Sequence, residues 1–173
     1  GVVSPIIDVR VADAMGQPLP PGTQGEIWLR GVTVMSGYWR DAQATAAAMQ
    51  ADEGWFRTGD VGYLDDEGFL FIVDRIKDVI NRCGEKIAAA EVESCLLQLP
   101  DVLEAAVFAV PDEDTGEAVV AVVSVREGCG LDAQALQAHV GAHLAAYKVP
   151  ASIHVLTEAL PRNPAGKLLK AQL

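Results

Sequence analysis

The chain has 173 residues, of which 50% are apolar and 21% charged, a composition that can bury a core in one or two domains. Lysine and arginine number 13 against 24 aspartate and glutamate, and the net charge of −11 disfavours a nucleic-acid partner. The three cysteines form no C-x-x-C pair, which disfavours a disulfide framework or a metal site and favours a reducing cytoplasm.

The start of the chain and its longest apolar run differ from the patterns of signal peptides and membrane spans. The first residues lack a basic segment followed by an apolar core, and the apolar run near 118–125 is too short to cross a bilayer. We therefore expect no signal peptide and no transmembrane segment. Because the chain does not begin with methionine, we expect it to be part of a longer polypeptide.

The first part of the chain is predicted to be rich in β-strands. Alternating apolar and polar residues predict strands over 6–11 and 25–30, and residues 63–64 and 69–73 predict a hairpin around an acidic turn. Asp41 is a candidate N-cap for a short alanine-rich helix that reaches Met49.

The second part is predicted to alternate helices and strands. Apolar spacing predicts a helix over 89–99, and buried strands over 102–110 and 118–125 with an acidic loop between them. A second helix should run from the Asp132 cap to about Tyr147, followed by a short strand over 153–156 and a loop over 161–167. The pattern predicts an α+β chain with a compact α/β domain from about Lys77 onward.

Three short segments stand out against this background. Each alone is weak, because a Thr-Gly-Asp triplet is usually a turn and a charged cluster is usually a solvated loop. Their order along one chain is more specific. The segments are Trp55–Asp60, then Asp74–Asp78 followed by Asn81–Lys86, and Pro161–Lys167.

In this order the segments resemble the adenylate-forming superfamily, which includes acyl-CoA synthetases, luciferases and peptide-synthetase adenylation domains. Gly25–Gly31 with Gly37–Trp39 resembles the end of that family's large N-terminal domain, and Ile80–Ile87 resembles acyl-CoA synthetases more than peptide synthetases. The resemblance implies that residues 1–75 are the β-rich C-terminal remnant of the large AMP-binding domain. Residues 76–173 would then be the small, mobile, three-layer-like α/β C-terminal domain.

The resemblance also implies a reaction in two halves. A carboxylate attacks the α-phosphate of ATP to give an acyl-adenylate and pyrophosphate, and the thiol of CoA then displaces AMP. ATP and CoA are the implied cofactors, and Mg²⁺ would be held mainly by protein upstream of this chain. The implied substrate is a small carboxylic acid. A fatty acid is the general expectation, with aromatic and short dicarboxylic acids left open.

Three matched residues would handle the nucleotide. Asp60 offers carboxylate oxygens for the ribose hydroxyls, and Arg75 offers a rigid fork of donors for ribose or phosphate oxygens. Lys167 is the implied catalytic residue, which would contact the acyl carboxylate and the α-phosphate of ATP or AMP as charge shifts between them.

Four more residues match positions that act in the second half-reaction. Lys77 matches the family's hinge, where a few residues absorb a change in backbone angles. Cys83, Gly84 and Glu85 match the CoA-binding path, and the missing side chain of Gly84 would allow close approach of a thin ligand.

Simpler interpretations stay open for several of these residues. Asp60 could cap a turn, and Arg75 with Lys77 could form a structural ion-pair cluster. Lys86 and Lys148 could meet CoA phosphates or could be solvated surface lysines.

For several cysteine, histidine and tryptophan residues we expect structural roles instead of chemical ones. Cys83 is expected to fill space rather than act as a nucleophile. His139 and His143 lie one helical turn apart, but without further ligands we expect no metal site. The three tryptophans are expected in the core rather than stacked on a ligand; they are Trp28, Trp39 and Trp55.

The chain also departs from the family. It contains neither the Ser/Thr/Gly-rich phosphate loop nor the aromatic-Gly-x-Thr-Glu segment, which lie upstream in the family, so we expect this chain alone to be inactive. Two alternatives to a CoA ligase remain, an adenylation enzyme that loads a carrier-protein thiol and a non-catalytic C-terminal module. The sequence also leaves open whether the chain forms a homo-oligomer.

Overall fold

A computed structural model describes residues 1–50 and 54–173. These residues contain two five-stranded sheets, one in each of two units, Gly1–Lys77 and Asp78–Leu173. Short helices accompany both sheets, which confirms the predicted α+β class. No helix in the described ranges is long and apolar enough to cross a membrane.

The first unit is an antiparallel sheet built around its longest strand, β4. Strand β2 pairs with one side of β4, β3 and β5 pair with the other, and β1 pairs with the far side of β2. The predicted strands and the hairpin are confirmed. The elements are β1 (Ile7–Ala12), β2 (Gly25–Gly31), α1 (Ala42–Ala48), β3 (Met49–Gln50), β4 (Trp55–Leu64) and β5 (Leu70–Arg75).

Helix α1 begins where the sequence predicts. The side chain of Asp41 accepts a hydrogen bond from the amide of Ala44 at 2.8 Å, which satisfies one of the free amides of the first turn. Thr45 donates to the Asp41 carbonyl and accepts from the amide of Tyr38, so it ties the preceding segment to the helix.

Two of the three tryptophans lie in the core of this unit, as expected. Trp28 and Trp55 are 4% and 7% exposed, and the guanidinium of Arg10 lies over both rings. The expectation for Trp39 is wrong, because its side chain is 86% exposed. Trp39 lies in the segment between β2 and α1, which is not part of the sheet.

The second unit combines one mixed sheet with two helices. The strand order is β10-β9-β6-β7, with β8 on β9; the β10–β9 pair is parallel and the others are antiparallel. The elements are β6 (Val79–Arg82), β7 (Glu85–Ala88), α2 (Ala89–Leu96), β8 (Val102–Asp112), β9 (Gly116–Val125), α3 (Ala133–His143) and β10 (Ser152–Leu156).

Both faces of this second sheet are covered. The main core includes Leu96 from α2 and Leu136 from α3, both fully buried with Val107 of β8. The next residue of β8, Ala106, faces the other way and packs with Leu160 of the C-terminal segment. Successive side chains of a strand point to opposite faces, so helices and tail form separate layers on either side of the sheet.

Both helices of the second unit end earlier than the sequence predicts. Helix α2 ends at Leu96 instead of Leu99. Helix α3 ends at His143 instead of near Tyr147, because Leu144 is extended and packs against the core. A separate 3₁₀ turn, Ala146–Lys148, then leads to the buried Pro150 before β10.

The acidic loop predicted over 111–117 is mostly strand. β8 continues to Asp112 and β9 begins at Gly116, which leaves a turn of three residues. The carboxylate of Asp112 accepts hydrogen bonds from the hydroxyl of Thr115 and from the amides of Asp114 and Thr115. These bonds lower the pKa of Asp112, the Thr115 hydroxyl having the largest effect. The acidic residue therefore organises a tight turn.

Candidate active site

The Thr-Gly-Asp triplet lies inside β4, at an irregularity in its pairing with β2. The hydroxyl of Thr58 donates to the carbonyl of Ile27 at 2.8 Å and accepts from the amide of Asp60 at 3.0 Å. Gly59 has a φ of +72°, a left-handed conformation that suits glycine. The triplet therefore forms a bulge that fixes the backbone of Asp60.

Asp60 and Arg75 form an ion pair across the β4–β5 hairpin. They are direct partners in the strand register, and Arg75 Nε lies 3.1 Å from Asp60 Oδ1. The side chains are 25% and 55% exposed, so the pair is reachable from solvent. Because this contact uses one of several guanidinium donors, Arg75 retains donors for a ligand. The structure therefore brings together two of the three residues that the sequence assigned to the nucleotide; the third, Lys167, belongs to the second unit.

A cavity of about 530 Å³ lies next to this pair, within the first unit. Its walls include Thr58, Gly59, Arg75 and Lys77. A cavity of this size falls in the range of small-molecule sites, about 300–1,000 Å³.

Glu26 supports the wall of this cavity and was given no role by the sequence reasoning. Its side chain is 9% exposed and accepts from Arg57, from the indole of Trp28 and from the amide of Gly59. A buried carboxylate with several donors is held rigidly, because each lost bond would leave a charge unsatisfied. The signal for this role was an acidic residue two positions before a tryptophan in β2, a spacing that puts both side chains on one face of the strand.

Lys77 lies in the 3₁₀ turn Ile76–Asp78, directly after β5. It is exposed, and it is the last residue of the first unit. The role of Lys77 as a hinge stays a prediction.

Cys83, Gly84 and Glu85 meet in the tight turn between β6 and β7. Cys83 and Gly84 have φ values of +51° and +88°, the pattern of a type I′ hairpin turn. All three residues are exposed, so the expectation that Cys83 fills space is wrong. The left-handed backbone at the tip holds its side chain away from the core.

The acidic turn after β8 supports this hairpin. The amide of Cys83 donates to the carbonyl of Thr115 at 2.9 Å, and the amide of Asn81 donates to Glu117 at 2.6 Å. Arg82 reaches the carbonyl of Tyr147 at 2.9 Å. Hydrogen bonds therefore fix the base of the hairpin, while its tip is exposed to solvent.

Lys167 occupies a second exposed turn, near the C-terminus. The amide of Lys167 donates to the side chain of Asn163, and the amide of Asn163 donates back to the Lys167 carbonyl. Gly166 takes a φ of +81°. Within the described residues, the ammonium group of Lys167 has no hydrogen-bond or ion-pair partner. The backbone of this lysine is fixed while its charge is free to meet a ligand.

Glu104 braces the Lys167 turn from β8. Its carboxylate accepts from the amide of Leu160 at 2.7 Å and from Nε of Arg162 at 3.0 Å. Arg162 also donates to the carbonyl of Gly166 at 2.7 Å. The Leu160 amide, followed by Arg162, lowers the pKa of Glu104 below its ordinary value of 4.5. The carboxylate is therefore charged at neutral pH and holds the base of the turn.

The end of the tail is anchored separately. The ammonium group of Lys170 donates to the carbonyl of Val107 at 2.9 Å and lies 2.8 Å from Glu93. Lys148 is likewise paired, with Glu91 at 2.6 Å, which favours a structural role over contact with CoA phosphates.

Two family models match the chain. The AMP-binding enzyme C-terminal domain matches residues 91–167, and the AMP-binding enzyme matches residues 1–39. The feruloyl-CoA synthase of an Amycolatopsis species is 44% identical over all 173 residues, which cover 35% of that protein. The 2-succinylbenzoate–CoA ligase of Geobacillus kaustophilus is 47% identical over 158 residues, 91% of this chain and 32% of that protein.

Solved structures agree with these matches. ATP-bound MatB from Rhodopseudomonas palustris superposes with a TM-score of 0.90 at 35% identity, over 99% of this chain and 34% of that chain. The o-succinylbenzoate CoA synthetase MenE from Bacillus subtilis, with ATP and magnesium, gives 0.89 at 39% identity, over 100% and 35%. The chain belongs to the adenylate-forming AMP-binding enzymes. It spans about a third of the length of the curated relatives that it matches.

For this adenylate-forming chain, the structure brings two groups of predicted site residues together. Asp60 and Arg75 pair in the first unit, and Cys83, Gly84 and Glu85 share one turn in the second. The roles assigned to these residues, to Lys77 and to Lys167 stay predictions.

The residues that the sequence reasoning missed in this chain are supporting ones. Glu104 is an acidic residue flanked by apolar residues near the start of β8, and Arg162 lies inside the same segment as Lys167. A charge among the apolar residues of a strand was the available signal, because such a charge needs a partner.

Proposed function

We propose that this chain supplies the catalytic lysine and part of the nucleotide site of an ATP-dependent acyl-CoA synthetase. The observation that carries the proposal is Lys167, whose ammonium group has no partner among residues 1–50 and 54–173 and belongs to a turn held by Asn163, Arg162 and Glu104. A fixed backbone and a free charge are what electrostatic catalysis requires, because such a group need not reorganise during the reaction.

In the first half-reaction, a carboxylate oxygen of the acid attacks the α-phosphorus of ATP and pyrophosphate leaves. Negative charge moves from the carboxylate to the phosphoryl oxygens, and the ammonium group of Lys167 would stabilise both groups. Losing one preorganised donor of this kind costs about 10²–10³-fold in rate.

Asp60 and Arg75 would hold the ribose of the nucleotide. The second carboxylate oxygen of Asp60 can accept from a hydroxyl, while the pairing with Arg75 orients the carboxylate. The relative MenE was solved with ATP and a magnesium ion. Asp60 is already ion-paired in this chain, so we assign Mg²⁺ to protein outside it.

The exposed turn of Cys83, Gly84 and Glu85 would receive CoA in the second half-reaction. There the thiol sulfur attacks the acyl carbon, AMP leaves with the bonding electrons and the thiol proton is released. A turn without a side chain at Gly84 can lie against the narrow pantetheine arm.

An aromatic carboxylic acid is the favoured substrate within this proposal. Two of the relatives are named for the ferulate and 2-succinylbenzoate groups, whereas the fatty acid expected from general frequency has no support from these names. A cytoplasmic location stays part of the proposal, resting on the cysteine content alone.

A different acceptor is the second candidate. The amide bond synthetase McbA from Marinactinospora thermotolerans superposes with a TM-score of 0.85 at 42% identity, over 97% of this chain and 34% of that chain. An amine could therefore replace CoA as the nucleophile. A carrier-protein thiol and a non-catalytic module remain the weaker alternatives.

The test uses a fusion protein that joins this chain to the remaining part of the Amycolatopsis feruloyl-CoA synthase. Lys167→Ala should lower carboxylate-dependent ATP–pyrophosphate exchange by about 10²-fold or more and leave thioester formation from supplied acyl-adenylate unchanged. Arg126→Ala is the matched control, because it removes an exposed cation of the same unit that pairs with Asp101.

Three outcomes decide among the alternatives. Equal loss of both half-reactions in Lys167→Ala would contradict the assigned role. AMP release that depends on an amine or on a carrier protein, and not on CoA, would replace the acceptor. A fusion without any adenylation activity, although folded, would favour the non-catalytic module.

A further inference from the structure

A cluster of metal-binding side chains lies between the two helices of the second unit. Cys95 belongs to α2, and His139 and His143 belong to α3. One ligand atom from each of the three residues lies within 4.8 Å of the other two. We propose that these residues bind a divalent cation of intermediate softness, of the Zn²⁺ class.

The ligand set was not visible as a set in the sequence. His139 and His143 alone gave no reason to expect a metal, because one helical turn supplies only two ligands. The third ligand lies 44 residues before His139 and joins the pair only because α2 packs against α3. The sequence-based expectation of no metal site assumed that no third ligand was near, whereas the packing of α2 on α3 brings Cys95 next to the two histidines.

Both imidazoles are held by backbone carbonyls. Nε2 of His139 lies 3.1 Å from the carbonyl oxygen of Cys95, and Nδ1 of His143 lies 2.8 Å from the carbonyl oxygen of His139. A carbonyl can only accept, so each of these nitrogens donates its N–H, and the second nitrogen of the ring is the one that can offer an electron pair to a metal. Metal-binding histidines are oriented in this way.

The geometry requires only a small contraction. In a tetrahedral zinc site, with bonds of about 2.0–2.3 Å, neighbouring ligand atoms lie about 3.3–3.6 Å apart. The observed separations of up to 4.8 Å are therefore about 1 Å too long. His143 is exposed and His139 half-buried, so small changes in their side-chain torsion angles can shorten the separations while the hydrogen bonds to the carbonyls are kept.

The types of ligand atom determine which metal ion the site prefers. Two imidazole nitrogens and one thiol sulfur suit Zn²⁺ and its spectroscopic substitute Co²⁺, and disfavour Mg²⁺ and Ca²⁺, which prefer oxygen. As the metal–sulfur bond forms, the Cys95 thiol releases its proton to solvent. Three protein ligands leave one position for water, on the exposed side of His143.

We expect a bound metal ion to link α2 to α3. Cys95 is 3% exposed and packs in the main core, whereas His143 reaches solvent. A bound ion would tie this surface position to the core and stabilise the folded unit, because it binds the folded state in preference to the unfolded one. The site uses none of the residues assigned to the nucleotide, to CoA or to Lys167.

The test is a Co²⁺ titration of the 173-residue chain, stripped of metal and kept reduced with a phosphine. We expect one equivalent of Co²⁺ to bind with a thiolate-to-cobalt charge-transfer band that Zn²⁺ abolishes by displacement. Cys95→Ala should remove the band. His143→Ala should weaken binding at least about tenfold, and its exposed position makes it the variant that keeps the fold.

Two matched controls separate this site from scattered binding. Cys83→Ser removes an exposed cysteine, and His154→Ala removes an exposed histidine of β10; both should bind Co²⁺ as the unchanged chain does. In a second measurement, Zn²⁺ should raise the thermal midpoint of the unchanged chain and of His154→Ala, but not of His143→Ala.

The proposal fails if the unchanged chain shows no charge-transfer band. It also fails if His143→Ala binds Co²⁺ as tightly as the unchanged chain, or if the two controls weaken binding as much as the site variants. The result for His143→Ala decides even if Cys95→Ala does not fold.

Discussion

Glu104 and Arg162 connect the buried sheet of the second unit to the turn that carries Lys167. Glu104 shares one face of β8 with Ala106 and accepts from Nε of Arg162 at 3.0 Å, and Arg162 in turn donates to the carbonyl of Gly166. One carboxylate thus fixes the residue before the candidate catalytic lysine. The position of that lysine depends on a charge about 60 residues earlier in the chain.

We predict that Glu104→Gln destabilises the second unit at neutral pH by about 1–3 kcal/mol, because bonds to a charged acceptor are replaced by weaker ones. The folded-state pKa of Glu104 is lowered, so its stabilisation is complete above its ordinary value of 4.5 and is lost as pH falls through the lowered pKa. The difference between the two proteins, measured by urea unfolding, should shrink as pH drops below 4.5.

The matched control for this prediction is Glu113→Gln. Glu113 is an exposed carboxylate in the turn between β8 and β9. We expect its substitution to change the free energy of unfolding by less than about 0.5 kcal/mol at any pH. A Glu104→Gln penalty that stays constant down to acidic pH would show that shape, and not charge, explains the interaction.

Asp60→Asn should weaken nucleotide binding more than it weakens the fold. The ion pair with Arg75 is partly exposed, so its loss should cost only about 0.2–1 kcal/mol of stability. If the carboxylate holds the ribose, AMP affinity in the feruloyl-CoA synthase fusion should fall about tenfold to a hundredfold, as expected for charged hydrogen bonds. Calorimetry of AMP binding measures the effect.

Asp8→Asn is the control for Asp60→Asn. Asp8 pairs with Arg30 across β1 and β2, at 2.9 Å, in a comparable but more exposed ion pair. It should leave AMP affinity unchanged. Equal affinity for AMP in Asp60→Asn and in the unchanged fusion would remove Asp60 from the nucleotide site.

The sequence predicts where the strands and helices lie better than it predicts which distant residues they pack against. Alternation and capping residues locate α1 and the β4–β5 hairpin because these depend on neighbouring residues. The end of α3 is missed because the packing of Leu144 decides it. The sequence also gives no sign that Trp39 is exposed.

In the candidate site, too, the sequence predicts local features but not long-range contacts. Motif order predicts Asp60, Arg75 and Lys167 as site residues, but the contacts that support the neighbouring turns join residues far apart in the chain. Glu104 reaches Arg162 across 58 residues, and Cys95 reaches His139 across 44. Such contacts follow from strand pairing and helix packing, which local periodicity does not encode.

Gly84→Val should impair thioester formation and spare adenylation. A Cβ at Gly84 meets no atom within 4 Å, so the local cost comes from the φ of +88°, about 1–2 kcal/mol. The added side chain would project from the exposed turn into the proposed CoA path, where a small misplacement can cost about a hundredfold. Supplied acyl-adenylate and CoA, followed by single turnover, measure this step.

The control variant Gly128→Val distinguishes the effect of backbone strain from obstruction of the proposed CoA path. Gly128 has a φ of +76° and also meets no atom within 4 Å, so the backbone penalty is the same in a loop outside the turn. We expect Gly128→Val to form thioester at the unchanged rate. If Gly84→Val does so too, the turn is not part of the CoA path.

Lys77→Pro should separate the two half-reactions if Lys77 is a hinge. Proline fixes φ near −65° and removes an amide donor, so a residue that must change its backbone angles cannot do so. Lys77→Ala is the control, since it removes the same charge but keeps backbone freedom. In the feruloyl-CoA synthase fusion, we expect Lys77→Ala to retain both half-reactions and Lys77→Pro to lose one of them. Equal behaviour of the two variants would assign any effect to the charge of Lys77 in the cavity wall instead of to its backbone.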